Sequence, residues 1–324
     1  MRNTYRLLFF ACSALCCTSF AAFLVLNALF PFPEKALHEE PAIMVRASDG
    51  TPLRIFLPQH GRRRFLLELE DISPVFQRVL LASEDRFFHY HPGVNPFSIL
   101  RATYQNFQEG DVVSGGSTIT MQLARLAEPK ARSLKAKAIE AFRAFQLEFT
   151  LSKDEIFKLY MNNIPYGGNV VGVGAAAYSY FGKSAGALSL GEATLLAVLP
   201  RAPRGYDPIA HPQAARNARD RLLDALAQRG VFPPEEVVMA KKQPLPAALT
   251  ASPMLAPHGA RMAYEQLKEA ELTRLPKLHA KRTWELKTTI DMAAQRQSLA
   301  TVRRRLPGLR LAGLENAAVV VLDR

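Results

Sequence analysis

Residues Leu7 to Phe30, LLFFACSALCCTSFAAFLVLNALF, carry no charge, and their only amide is Asn27. At 1.5 Å per helical residue, roughly twenty apolar residues cross the hydrocarbon core of a bilayer, so this run predicts a transmembrane helix. Arg2 and Arg6 precede it, and Pro31, Pro33 and Glu34 follow. The positive flank is N-terminal. It predicts a cytoplasmic tail at 1–6, a single-pass anchor at 7–30 and the remaining chain on the far side of the membrane. A cleaved signal peptide needs a shorter apolar region with a small-x-small site after it, which Phe30-Pro31-Phe32-Pro33 does not supply. A lipoprotein signal fits less well, because Leu15 stands where a small residue should precede Cys16.

All three cysteines, Cys12, Cys16 and Cys17, lie in this run, so neither disulfides nor a thiolate metal site can organise the rest. The seven histidines are scattered, with no His-Glu-x-x-His pair, which argues against a metalloenzyme. A chain of 324 residues that is 48% hydrophobic can bury the cores of roughly two domains. Lys and Arg number 41 against 29 Asp and Glu, a formal charge of +12 that calls for an anionic partner. Nucleic acid is a poor choice, because the basic residues neither cluster on one helix nor alternate with aromatics.

The pattern after the anchor predicts a mainly α fold with a small β element at a domain junction. Residues 43–57 alternate in polarity around Asp49-Gly50, a hairpin signal, within a hairpin and linker at 41–64. Helical patterns fill most of 73–206. Ala138, Phe142, Phe145 and Phe149 fall on one face of a helix over 134–151 and predict a buried stripe. Ser152 and Glu155 have capping-box spacing before the next helix. A further run, 189–199, ends at Pro200, and 209–246 reads as two short amphipathic helices. Residues 247–283 read as a linker, and strand-like patterns resume at 284–290 and 317–322.

Three clusters carry candidate chemistry. The first, Glu84-Asp85-Arg86-Phe87-Phe88-His89-Tyr90-His91-Pro92-Gly93, sets two carboxylates among aromatics, a setting for a general acid or base. A helix end with Asp85 paired to Arg86 or His89 accounts for it as well. The second, Ser114 to Leu123, places glycines and hydroxyls at a helix start, where free N–H groups hold an anion; a plainly capped helix start is the alternative. It is not a Walker loop. The third runs from Lys135 through Lys137, Glu140 and Arg143 to Glu148. Lys137 and Glu140 are i, i+3 neighbours, and an exposed ion pair of little consequence explains them equally.

In order, ASEDRFFHYHPGVN, GGSTITMQLAR, KAKAIEA, SKDEIFKLYMNNIPYGG, GVGAAAYSYFGKS and LSLGEATLLAVLPRAPRGYDP resemble the family 51 peptidoglycan glycosyltransferases, the first catalytic domain of class A penicillin-binding proteins. The resemblance covers roughly residues 65–246. It implies a lysozyme-like glycosyltransferase domain that polymerises lipid II at the inner membrane, on the periplasmic side. Glu84 matches the catalytic acid/base, and Glu140 the second glutamate. Asp85, Phe88, His91 and Gly93 match the other positions of the first motif, and Gly115, Gly116, Ser117, Thr118 and Gln122 those of the second, as substrate-binding residues. Lys137 and Arg125 are the implied contacts to the diphosphate, and a divalent cation, Mg or Mn, has a place near Glu140. The implied partners are lipid II, the nascent glycan strand, the inner membrane and cell-wall synthesis proteins. Three positions depart from the pattern: Asn95 for aspartate, Met121 for glutamine, and Ala136 for the arginine that usually precedes Lys137. The last removes part of the expected diphosphate contact. A stretch between the first two motifs, Phe97, Ile99, Leu100, Tyr104 and Phe107, is either an apolar flank toward lipid or an ordinary core helix.

ELKTTIDMAAQRQ and NAAVVVLDR resemble the start of a penicillin-binding transpeptidase domain, here 284–324. No Ser-x-x-Lys, Ser-x-Asn and Lys-Thr-Gly set follows, so serine acylation of that kind is not expected. Two other readings stay open. One is a muramidase or lytic transglycosylase built around a single glutamate, the other an inactive, membrane-tethered scaffold.

Overall fold

A computed structural model describes residues 2–109, 116–131, 133–273, 284–310 and 319. In chain order the elements are α1 (Arg2–Leu29), β1 (Ile43–Arg46), β2 (Pro52–Phe56), α2 (Pro74–Glu84), α3 (Pro96–Glu109), α4 (Ile119–Ala127), α5 (Leu134–Thr150), α6 (Lys153–Asn163), β3 (Pro165–Gly167) and β4 (Val170–Val171). They continue with α7 (Val173–Phe181), α8 (Leu190–Val198), α9 (Pro212–Gln228), α10 (Pro234–Lys242), α11 (Pro257–Thr273), β5 (Glu285–Lys287) and α12 (Met292–Arg310). The fold is mainly helical, in agreement with the periodicity. Gly115 and the strand-like stretch 317–322 lie outside the described residues, apart from Val319.

The larger core packs Phe76, Val79 and Leu80 of α2 against Ile119 and Leu123 of α4, Ile156 and Tyr160 of α6, and the leucines of α8 and α9. Local chemistry starts these helices where the sequence places them. Thr118 and Ser133 accept from the N–H groups of Met121 and Ala136, and Ser152 with Glu155 forms the predicted capping box.

α1 takes up the apolar run as one helix. Among the described residues, no helix is long and apolar enough to cross a membrane. The side chains of residues 7–12 and Cys16, part of the expected anchor at 7–30, lie outside the described residues. The aromatic stripe of α5 is placed differently from the expectation. Phe142 lies 6.0 Å and Phe149 5.7 Å from Phe23 of α1, while Ala136, Ala144, Gln146 and Leu147 form the buried face of α5. Ala138, Phe145 and Phe149 remain exposed. Periodicity shows that a face is apolar but not which neighbour it meets. Beside this contact, Gln146 donates to Asn27 Oδ1 (2.7 Å), and Arg143 donates to the carbonyls of Phe30 (2.7 Å) and Pro31 (3.0 Å). Carbonyls at a helix end lack intrahelical donors, and these side chains supply them.

β1 and β2 form the predicted hairpin, with Asp49 Oδ1 accepting from the Thr51 N–H (2.8 Å). β5 joins the other edge of β1 in parallel, giving the order β2-β1-β5. Part of the stretch expected as linker forms α11 instead. With α12 it closes a small second core of Val45, Ala47, Leu53, Ala256, Ala260 and Met292.

Candidate active site

Glu84 is the last residue of α2. Ser73 and Pro74 start the helix, and Phe76, Val79 and Leu80 bury one side of it. Its far end reaches an open cleft of about 320 Å³, lined by Glu84, Asp85, Arg86, Phe87, Ser98, Arg101, Ser117, Thr118, Arg229 and the adjoining Ala82 and Ser83. Two sequence clusters more than thirty positions apart thus meet on one surface, and the lining is mostly polar.

Both oxygens of Glu84 are engaged. Oε1 accepts from Arg201 Nε (3.0 Å) and Nη2 (2.7 Å), and Oε2 accepts from Gln122 Nε2 (3.0 Å). Gln122 Oε1 in turn accepts from the Tyr160 hydroxyl (2.7 Å). Burial, and then the nearby Glu84 charge, push the Tyr160 phenol well above its ordinary range, against the pull of Arg125 and Arg201.

Asp85 turns inward, and its side chain is 4% exposed. Its carboxylate lies 3.0 Å from His91 Nε2 and accepts from the Ile119 N–H (3.0 Å), so the partner is neither Arg86 nor His89. This arrangement ties the first motif to the start of α4. Phe88 is wholly buried against Phe157 and offers no surface to the cleft, whereas Phe87 beside it is half exposed and lines the cleft. Gly93 adopts φ +88°, and a Cβ there would stand 2.9 Å from the Ala144 carbonyl oxygen; only glycine suits both constraints. Its carbonyl accepts from the Thr118 hydroxyl, while the same Thr118 caps α4. Gly116 passes so close to Ile99 that a Cβ would meet the Ile99 Cα at 2.9 Å.

Ser117 accepts from Lys137 Nζ, and Lys137 pairs with Glu140 at 3.0 Å. Glu140 is thus linked to the cleft through Lys137 and does not line it. Arg125 makes no hydrogen bond or ion pair among the described residues, and its field reaches Tyr160. The Lys137 ammonium takes Oε2 of Glu140, and among the described residues no group of three His, Cys, Asp or Glu side chains converges on a metal position.

Sequence reasoning missed Arg201 and Tyr160, as well as Arg86, Phe87, Arg101 and Arg229 in the lining. Arg201 and Tyr160 both fall inside quoted motifs, which was the available signal. No spacing rule connects Arg201 to a partner 117 positions earlier.

A transglycosylase family model matches residues 49–227. The chain is 41% identical to penicillin-binding protein 1C of Escherichia coli (strain K12) over 298 residues, 92% of this chain and 36% of that protein. It is 41% identical to penicillin-binding protein 1A of Aquifex aeolicus (strain VF5) over 57% of this chain and 26% of that one. A crystal structure of penicillin-binding protein 1A from Haemophilus influenzae aligns with TM-score 0.37 and 20% identity, covering 82% of this chain and 29% of that one. The chain spans about a third or less of the length of these relatives. With more than half of its residues matched, the chain belongs to the transglycosylase family.

Proposed function

We propose that this chain is a peptidoglycan glycosyltransferase that polymerises lipid II into β-1,4 glycan strands with release of undecaprenyl diphosphate. Glu84 is the general base. It takes the proton from the 4-hydroxyl of the acceptor GlcNAc as that oxygen attacks C1 of the donor MurNAc. The bond from C1 to the diphosphate breaks, and an α-linked donor becomes a β-glycoside, so the displacement inverts and needs one base opposite the leaving group. A diphosphate leaves without a proton, but its growing charge needs compensation. Arg86, Arg101 and Arg229 around the cleft, and Lys137 held at Ser117, support that role. The observation that carries the reading is the convergence of Glu84, Ser117 and Thr118 on one cleft within a transglycosylase-family chain.

We further place the enzyme at the inner membrane, single-pass and facing the periplasm, with cell-wall synthesis proteins as partners. Support comes from the uncharged run 7–30 with Arg2 and Arg6 before it, and from exposed apolar side chains. Phe20, Val25 and Leu29 of α1, Phe97, Leu100 and Tyr104 of α3, and Phe149 of α5 are all more than half exposed. The side chain of Phe107 lies outside the described residues.

The purified full chain, given fluorescent lipid II in one assay and cell-wall sacculi in another, tests the reaction class. Glycan strands from lipid II with intact sacculi are expected. Soluble muropeptides released from sacculi, with lipid II unchanged, would instead make it a lytic enzyme.

A further inference from the structure

We propose that Tyr160 and Arg201 are positioning residues that fix the Glu84 carboxylate from two sides, Arg201 directly at Oε1 and Tyr160 through the Gln122 amide at Oε2. The inference rests on Glu84 being the base proposed above.

Arg201 closes the helical turn Leu199–Arg201 that follows α8, at the point where Pro200 stops the helix. Two of its nitrogens meet Oε1, and Nη2 also donates to the Ser83 carbonyl (3.2 Å) at the end of α2. The guanidinium is thereby oriented by a backbone acceptor as well as by the carboxylate, and its reach to Glu84 is set by the packing of α8 on α2.

On the other side, a primary amide has two faces of similar shape: turned over, Gln122 would aim its oxygen at a carboxylate. Tyr160 removes that alternative. Its ring is 3% exposed in the core, and its hydroxyl donates to Gln122 Oε1, which leaves the amide N–H₂ pointing at Glu84. A phenol donates only while it keeps its proton, and burial secures that. The two sides differ in strength. Both have the carboxylate as acceptor, but Arg201 adds its own charge and two N–H groups at Oε1, whereas Gln122 supplies one neutral donor at Oε2. The acceptor hydroxyl therefore displaces Gln122 from Oε2, and Arg201 keeps Oε1. The proton then passes to Oε2 as the hydroxyl oxygen bonds to C1 and the C1–diphosphate bond breaks.

The test uses the full chain, initial rates over a range of fluorescent lipid II concentrations, and thermal melting of each variant. Tyr160→Phe is expected to lower kcat about five- to tenfold with KM within about twofold of the parent. In a Gln122→Ala background the same change is expected to alter kcat less than about twofold, because Tyr160 acts through Gln122. Arg201→Ala is expected to lower kcat about thirtyfold, and Arg201→Lys to recover part of it. Independent, multiplying effects of Tyr160→Phe and Gln122→Ala, or parental kcat in Arg201→Ala, would overturn the inference. Should Tyr160→Phe fail to fold, Gln122→Leu reports on the same arm: a similar loss of kcat is expected, and parental kcat overturns it. Glu84→Gln separates the two levels. If it is inactive while the positioning variants run at parental rates, only this inference fails; if it is active, the proposed base fails with it.

Discussion

Phe88 and His91 follow Glu84 within one short motif, yet both side chains are buried, and their work is to hold the chain turn that carries the glutamate. Phe88 packs on Phe157, and Lys153 sits 4.5 Å above its ring while donating to the His91 carbonyl (2.7 Å). Phe88→Ala is expected to destabilise the fold by roughly 3–5 kcal/mol in urea unfolding, with KM of the folded fraction unchanged. Asp85→Ala strips the partners from His91 and the Ile119 N–H in a buried site and is expected to cost about 3 kcal/mol by the same measurement. The motif was legible in the sequence, but the direction of each side chain was not. Phe87 and Phe88 are adjacent in a non-helical turn, and no periodicity separates the one on the cleft from the one in the core.

Helix boundaries depend on neighbours within four residues, and for that reason they could be read. Ser152 and Glu155 close the predicted capping box, and Ser189 and Glu192 form another at the start of α8, the helix that leads to Arg201. Burial alone would raise the Glu192 carboxyl. The hydrogen bonds from Lys183 and Ser189 outweigh it, and the net shift is downward from 4.5. A carboxyl lowered on folding contributes stability that is fully present above its unfolded value and is lost as the pH falls through the folded one. The parent chain should therefore lose stability on acidification below about pH 4.5, and Glu192→Ala, itself costing about 1 kcal/mol, should show a smaller loss over that range in melting at stepped pH. What faces a helix is non-local and was not legible. Periodicity predicts a buried stripe on α5, whereas Phe142 and Phe149 of it meet α1, a contact made only by the folded chain.

At the scale of the whole molecule, the sheet ties distant segments together. Trp284 stacks on Phe65 at 4.8 Å, and its carbonyl accepts from the Met44 N–H (2.7 Å), so residues 284–287 are part of the fold that begins at Ile43. Trp284→Ala is expected to lower stability by roughly 2 kcal/mol in denaturant unfolding, since a half-buried stacked indole is lost. The strand at 284 was legible from its alternation, but its parallel pairing with β1 was not, because more than two hundred residues intervene. The same is true of the site, where Gln122 of α4, backed by Tyr160 of α6, and Arg201 of the turn after α8 meet Glu84 at the end of α2. Glycan-strand formation depends on that carboxylate acting as a base. The most direct measurement is the initial rate of glycan-strand formation from labelled lipid II by the parent and by Glu84→Gln, with circular dichroism and melting confirming that both are folded. A folded Glu84→Gln chain that polymerises at least a hundredfold more slowly is the predicted result, on the order of what a general base contributes. Strands formed at the parental rate would contradict it.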